Sequence, residues 1–434
     1  MQDTPIVILI TGDIHLGRHP THIPEEIDGP QYSPSAVWRT LVERAIQEEV
    51  DAVVITGDVI DRKNRFYEAY GPFEDGCRRL QDASIPVIVV AGNHDYDTLP
   101  NIASGTHLDN LHLLGTRGSW ERFTLERDGI PVACFDGWSF PAEHVHESPV
   151  TRYDLPQTTG IPVIGVLHAD LDSMRSTYAP VAKSELLRTP TVAWILGHIH
   201  KPAVYDSAVP LIVTPGSPQP LDPGEVGPHG PWLVTIKSTV VKATQIPLAT
   251  IRYARLDIDV SSIDDPWGVP ALVSARLREE AALSADMDSL ELVLLRVVLA
   301  GRSAVDAQLR DPDVQNGIKE ELKLELGGVQ VRIESLNVET QPRLDLEDLR
   351  RGKTPAGWLA RLLLLENDRL LAEHARLVED SVSTMRTAYH SRAYLPLRQE
   401  DWAGSPDQDT AIRALRREAR NLLDVLTRQK EGAP

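Results

Sequence analysis

Five short motifs carry the side chains best suited to chemistry: Gly12-Asp13-Ile14-His15, Gly57-Asp58, Gly92-Asn93-His94-Asp95, His168 after Gly165-Val166-Leu167, and Gly197-His198-Ile199-His200. Their mixed oxygen and imidazole donors suit borderline divalent cations such as Mn²⁺, Fe²⁺ or Zn²⁺. Side chains two apart at a strand's exit point to one side, so Asp13 with His15, and His198 with His200, can each face one ion. A carboxylate such as Asp58 has two oxygens and can bridge two cations about 3.5–4 Å apart, the spacing that two-metal phosphate chemistry requires. The glycines let the backbone turn tightly and approach ions or phosphate. Taken singly, a Gly-Asp pair reads as a turn and an Asn-His pair as a cap. Together, each behind a β-rich run, they point to a two-metal phosphoester-hydrolysing centre.

Such donors need a frame of strand ends. Pro5 to Ile10 is an unbroken apolar run, and further strands are expected at Ala52–Thr56, Val87–Ala91, Ala133–Phe135, Val163–Leu167, Ala193–Leu196 and Leu211–Thr214. Helical periodicity fills Ala36–Glu49, with Ser35 as its expected N-cap, and Phe66–Ala83. This is α/β order, in which ligands gather where strands end. Near residue 250 the pattern changes to strand (Ile251–Val260), helix (Pro266–Ala281), strand (Leu290–Ala300), a mostly helical stretch (Ala304–Glu325) and strand (Val329–Val338). A small α+β domain over 249–340 follows from that order, with Thr340–Asp345 as linker. In the tail, Thr354-Pro355 caps and starts a long helix expected to run through Leu377. A last helix sets Ile412, Leu415, Ala419, Leu422 and Leu426 on one face. The expected division is 1–248, 249–340 and 341–434.

The 434 residues, 42% hydrophobic and 25% charged, describe a soluble protein of two or three domains. No apolar run approaches the ~20 residues of a membrane span. The chain enters its first strand with no basic leader, and Cys77 and Cys134 lie in unrelated segments; both features point to the cytoplasm. A net charge of −19 leaves no broad basic footprint for nucleic acid. Binding DNA would then require acids set away from the active face, or a basic partner. The nearest basic cluster is Arg62, Lys63 and Arg65, a candidate contact for a DNA backbone, and Lys201 beside the motif histidines is a candidate phosphate contact. All four read equally as solvated side chains. Pro215-Gly216-Ser217 with Glu225, Gly227 and Gly230 forms a long loop near the site, either shaping substrate entry or simply connecting strands.

The five motifs resemble the D-x-H, GD, GNH[DE], H and GHxH series of the calcineurin-like metallophosphoesterases, over residues 5–240. The resemblance implies an α/β fold, a four-layer αββα sandwich, followed here by a small α+β cap domain and C-terminal helices. It implies one metal on Asp13, His15 and His200, a second on Asn93, His168 and His198, and Asp58 bridging. It further implies that His94 serves the leaving oxygen, with Asp95 orienting its ring. Asp13-Ile14-His15-Leu16-Gly17 resembles the opening of SbcD-type DNA-repair nucleases; the stretch from Asp61 to Phe73, His200-Lys201-Pro202 and Leu346–Leu365 resemble their YhaO branch. That branch implies a Mn²⁺-dependent DNA exonuclease or endonuclease subunit in DNA repair, a homodimer, and an SMC-like ATPase partner (SbcC- or YhaN-like) docked on the C-terminal helices; the apolar face of the last helix reads equally as packed on its own domain. One position departs from the pattern: some members carry histidine three residues after the bridging aspartate, where this chain has Asp61. Two other readings stay open. One is a small-molecule phosphodiesterase acting on a nucleotide or cyclic nucleotide, which the charge favours. The other is an inactive adaptor of the ATPase complex, against which the full ligand set argues.

Overall fold

Short Val- and Ile-rich runs with no polar alternation form strands buried on both faces. The structure, a computed structural model, describes residues 4–62, 67–158, 160–237, 240–283, 288–391 and 405–431. β1 (Ile6–Thr11), β2 (Ala52–Ile55) and β3 (Val87–Val89) pair in parallel, Ile8 opposite Ala52 and Val53 opposite Val87. Between them run α1 (Pro34–Gln47) and α2 (Tyr67–Asp82), and α3 (Leu99–Gly105) leads into β4 (Leu111–Leu113). The N-cap of α1 is Ser33, not the expected Ser35: its Oγ accepts from the Ala36 N–H at 3.2 Å and Pro34 opens the first turn. Proline fits that turn because its missing N–H has no partner there anyway.

The second set of strands is β5 (Glu121–Arg127), β6 (Ile130–Trp138), β7 (Val163–His168), a small ladder of β8 (Asp170–Leu171) with β9 (Pro180–Val181), then β10 (Ala193–Gly197), β11 (Ala203–Asp206) and β12 (Leu211–Thr214). β13 (Trp232–Lys237) and β14 (Val240–Gln245) return to the first sheet, whose order is β14-β13-β1-β2-β3-β4; the second runs β11-β12-β10-β7-β6-β5. One face of the first sheet (Leu9, Val53, Val87) packs under Trp38 and Leu41 of α1 and Phe73 of α2. The other face (Ile8, Ile10, Val54) meets Phe135, Ile164 and Val213 between the sheets. Each such side chain, fully buried, contributes roughly 1.5–3 kcal/mol. The outer face of the second sheet buries Trp138 and Trp194 with Leu186 of α4 (Lys183–Leu186). The sandwich is four-layered, with a fourth layer made largely of loops around one short helix.

Four more strands form a third sheet: β15 (Ile251–Asp259), β16 (Leu292–Ala300), β18 (Leu324–Leu326) and β19 (Val329–Val338), in the order β15-β16-β19-β18. β17 (Arg302–Ser303) pairs with β20 (Gln341–Pro342). The helices here are α5 (Val269–Leu283), α6 (Asp306–Leu309) and α7 (Pro312–Glu321), so the helical stretch expected to reach residue 325 gives way to strand at Leu324. The tail holds α8 (Leu346–Leu349), α9 (Pro355–Leu364), α10 (Asn367–Tyr389) and α11 (Gln408–Glu431). Its expected single long helix is broken at Leu365, which is extended at ψ 136°; Arg416 of α11 donates to the freed Leu365 carbonyl at 2.6 Å. By packing, the chain divides into two compact units. One comprises the described residues up to Arg255 with Arg278–Arg296 and Lys323–Ser335; the other comprises Leu256–Leu277, Val297–Leu322 and the described residues from Leu336 onward. Among the described residues no helix is long and apolar enough to cross a membrane.

Candidate metal centre

The five motifs sit at the C-terminal ends of β1, β2, β3, β7 and β10. The backbone leaves these strands through the left-handed region at Asp13 (φ 49°), His15 (φ 50°), Asp58 (φ 49°) and His198 (φ 90°). Such non-glycine residues cost roughly 1–3 kcal/mol each and persist only where surrounding structure holds them. Here the loops are knit together: the Asp13 N–H donates to Gly57 O and the His15 N–H to Asp58 O, both at 3.0 Å. Glycine is demanded at Gly57 (φ 96°), where a Cβ would stand 2.8 Å from both Gly92 N and His168 Nδ1. At Gly92 a Cβ would strike Asp58 Oδ1 at 2.1 Å.

Three overlapping groups of donor atoms result: Asp13, His15 and His200; Asp13, Asp58 and His168; and His15, Asp58 and His94. Tautomers follow from the partners. His168 Nδ1 lies 2.9 Å from the Thr56 carbonyl and must donate to it, which leaves the Nε2 lone pair facing Asn93 Oδ1 at 2.9 Å and Asp58 Oδ2 at 3.4 Å. His200 Nδ1 likewise donates to Glu225 Oε1 at 2.8 Å, so its Nε2 lone pair faces His15 Nε2 at 3.1 Å. Buried lone pairs aimed at common points, with Asp13 and Asp58 almost wholly out of water, are what a pair of divalent cations fits. His198 contributes its backbone N–H to both Asp13 oxygens, at 3.0 and 3.2 Å. Its ring stands beside His168 (centroids 5.3 Å) and Tyr178 (4.9 Å), outside the three groups.

The electrostatics follow from burial. Desolvation pushes the Asp13 carboxyl up, with His168 and His200 opposing it. Burial also opposes charge on Asp58, but His168, His15 and His94 outweigh it and hold that carboxyl below its ordinary value. Burial depresses His15, and depresses His198 to about 3. At His200 burial is overcome by the Glu225 hydrogen bond and by Asp13, which without a cation raise it to about 9; a cation at Nε2 would displace the proton there and take its lone pair. Desolvation and the charge of Asp58 lift Asp95 to about 8, against three backbone N–H bonds.

Those three bonds correct one expectation. Asp95 accepts from the Gly92, Val59 and Ile60 N–H groups at 2.8, 2.7 and 3.3 Å, so it braces loops and does not orient His94. The carboxylate beside the His94 ring is Asp61: its Oδ1 lies 3.7 Å from His94 Nδ1 and 3.5 Å from His15 Nδ1. Arg62 is exposed and ion-paired with Glu143, while Lys201 is exposed in the turn after His200. Lys63 and Arg65 lie outside the described residues. Glu225, read from sequence only as part of a loop, is the residue that reasoning missed as a partner of His200. An acid in a Gly- and Pro-rich loop was the available signal, but nothing local showed its direction.

Residues 6–202 match the calcineurin-like phosphoesterase family, and residues 253–341 match the middle domain of the metallophosphoesterase YhaO. The uncharacterized metallophosphoesterase YhaO of Bacillus subtilis is 28% identical over 243 residues, covering 54% of this chain and 58% of that protein. The DNA double-strand break repair protein Mre11 of Aeropyrum pernix is 24% identical over 267 residues, covering 58% and 63%. The SbcD component of the nuclease SbcCD of Bacillus subtilis is 32% identical over 119 residues, covering 25% and 27%. The matched region thus spans less than two thirds of each of these relatives.

Proposed function

Because the chain carries a calcineurin-like metallophosphoesterase domain with YhaO and Mre11 relatives, we propose that it is a two-metal DNA exonuclease or endonuclease subunit acting in DNA repair. The observation that carries the reading is the convergence of His168, His200 and His15 lone pairs on Asp13, Asp58 and Asn93. One ion, Mn²⁺ by preference, would be held by Asp13, His15 and His200, another by Asn93, His168 and His198, with Asp58 shared. Bound there, the ions would supply Lewis acidity and a water of lowered pKa. The chain's own residues do the rest. His94 is one-third exposed and lies with His15 and Asp58, so it can present a proton to a leaving oxygen. Asp61 holds that ring from the Nδ1 side.

The Mre11 and SbcD relatives, a DNA break repair protein and part of a nuclease, support DNA as substrate. The net charge of −19 and the pairing of Arg62 with Glu143 favour a second reading, a small phosphodiester. An SMC-like ATPase (SbcC- or YhaN-like) is the proposed partner, docked on an apolar groove of about 520 Å³ between α9 and α11. Trp358, Leu422 and Val425 there are 44%, 55% and 50% exposed, an unusual cost for large apolar side chains without a cover. Arg302–Asp424 and Arg428–Asp306 pairs fix α11 so that this face stays outward. The two unpaired, buried cysteines agree with a cytoplasmic setting.

The test incubates the purified chain and a His94→Ala variant with Mn²⁺, end-labelled linear DNA and bis-p-nitrophenyl phosphate. Shortening of DNA that the variant loses by about 10²–10⁴-fold is the expected result. Hydrolysis of the aryl diester but not of DNA, with or without the ATPase, would transfer the assignment to a small-molecule enzyme. A Mn²⁺-loaded chain that cleaves neither would end the phosphoesterase reading.

A further inference from the structure

The loop that follows β12 approaches His200 from two sides. Gly216 (φ 73°) runs so close that a Cβ would lie 2.4 Å from the His200 carbonyl oxygen, and the Ser217 N–H donates to that same oxygen at 2.9 Å. Eight residues on, Glu225 accepts from His200 Nδ1 at 2.8 Å. Its other oxygen accepts from Ser217 Oγ at 2.8 Å and from the Leu221 N–H at 3.0 Å. His229, buried, donates from Nδ1 to the Ser217 carbonyl at 2.7 Å and has Ser217 Oγ at 3.2 Å. Its Nε2 is buried with no hydrogen-bond partner among the described residues. The loop itself is pinned at both ends of the turn. Leu221 O accepts from the Thr21 N–H at 2.9 Å, and the Gly227 N–H donates to Tyr253 O at 3.2 Å.

We propose that Glu225 is a positioning residue for the metal centre, an outer carboxylate that fixes the tautomer and ring angle of His200, with Ser217 and His229 holding Glu225 in turn. The inference rests on the two-metal reading above. With the proton held on Nδ1, the Nε2 lone pair is directed to the point it shares with Asp13 and His15. A carboxylate on the far nitrogen also makes an imidazole a stronger donor to a cation. A plain staple for the loop would not require a charge. A glutamine could take the Leu221 and Ser217 hydrogen bonds without the penalty of burying a carboxylate, and that penalty is severe unless a charged or strongly donating partner answers it. Here the answer is the His200 ring. Glu225 therefore belongs to the centre by acting through His200.

The experiment is a calorimetric titration of Mn²⁺ into the chelator-stripped full chain, beside Glu225→Ala, Glu225→Gln and Ser217→Ala, each with a thermal melt without metal. Glu225→Ala is expected to weaken one of two Mn²⁺ by about 10–100-fold and leave the other within about threefold. Glu225→Gln, whose single acceptor oxygen cannot serve both His200 Nδ1 and the Ser217 and Leu221 donors, should weaken the same ion, and Ser217→Ala should weaken it by less. These two variants carry the test if Glu225→Ala does not fold. Wild-type affinities in the glutamate variants overturn the inference, as does equal weakening of both ions in step with a lowered melting temperature. A wild-type chain that binds no Mn²⁺ overturns the two-metal reading itself, a result distinct from either of those.

Discussion

Replacing Asp61 by asparagine removes a charge while keeping volume, and isolates what the carboxylate does for His94. Asp61 Oδ1 stands 3.7 Å from His94 Nδ1, beyond ordinary hydrogen-bond length, so the interaction is mainly electrostatic. At that distance, and an effective dielectric of about 20, opposite unit charges attract by about 4 kcal/mol. His94 is 33% exposed, and solvent screening moves the value towards the ~1 kcal/mol of exposed pairs. An intermediate figure of about 1.5 kcal/mol corresponds to roughly tenfold in rate, if the charged ring is the acid. The assay compares kcat on a dinucleotide, whose alkoxide leaving group needs a proton, with kcat on bis-p-nitrophenyl phosphate, whose leaving group does not. Asp61→Asn should lose about tenfold on the first and much less on the second, with two Mn²⁺ still bound. Equal losses on both substrates refute the argument. So does a loss that tracks weaker Mn²⁺ binding, because Asp61 would then act through His15, which it faces at 3.5 Å.

Two further outcomes follow from other parts of the molecule. Saturating Mn²⁺ should raise the melting temperature by several degrees, since ligand at about 100 times its Kd adds about 2.7 kcal/mol; an unchanged melt would mean that no cation joins the buried Asp13 and Asp58. In the second unit, burial opposes charge on Asp306, but bonds from Arg310, Thr340 and Arg428 hold its carboxyl below the ordinary value, so Asp306→Asn should cost about 1.5–3 kcal/mol at pH 7. A depressed carboxylate stabilises above its unfolded pKa of about 3.9 and loses that contribution as pH falls through the folded value, so urea midpoints of the two proteins should converge below about pH 4; a gap that stays constant to pH 3 contradicts the ion pairing.

Residue type and spacing alone were enough to single out Asp13, His15, Asp58, His94, His168 and His200, which the fold gathers into three donor groups, because Asp and His are costly at buried strand ends and stand out against Val and Ile. The same short-range pattern located β1, β2, β3 and the helices between them, since side-chain periodicity within a segment reflects the face it buries. What depends on the chain's return from a distance was not readable. β13 and β14 complete the first sheet only because Ile236 comes back to pair with Ile6. The break at Leu365 reflects an Arg416 that lies on another helix. From sequence, Asp95 beside His94 is the expected partner of its ring, and Asp61 carries no such role. Only folding decided that Asp95 turns to the Val59 and Ile60 amides, and that Asp61 faces the ring. Glu225 shows the limit most plainly: it sits 25 positions from His200, and a hydrogen bond across that gap is set by how a loop closes in three dimensions rather than by any local preference.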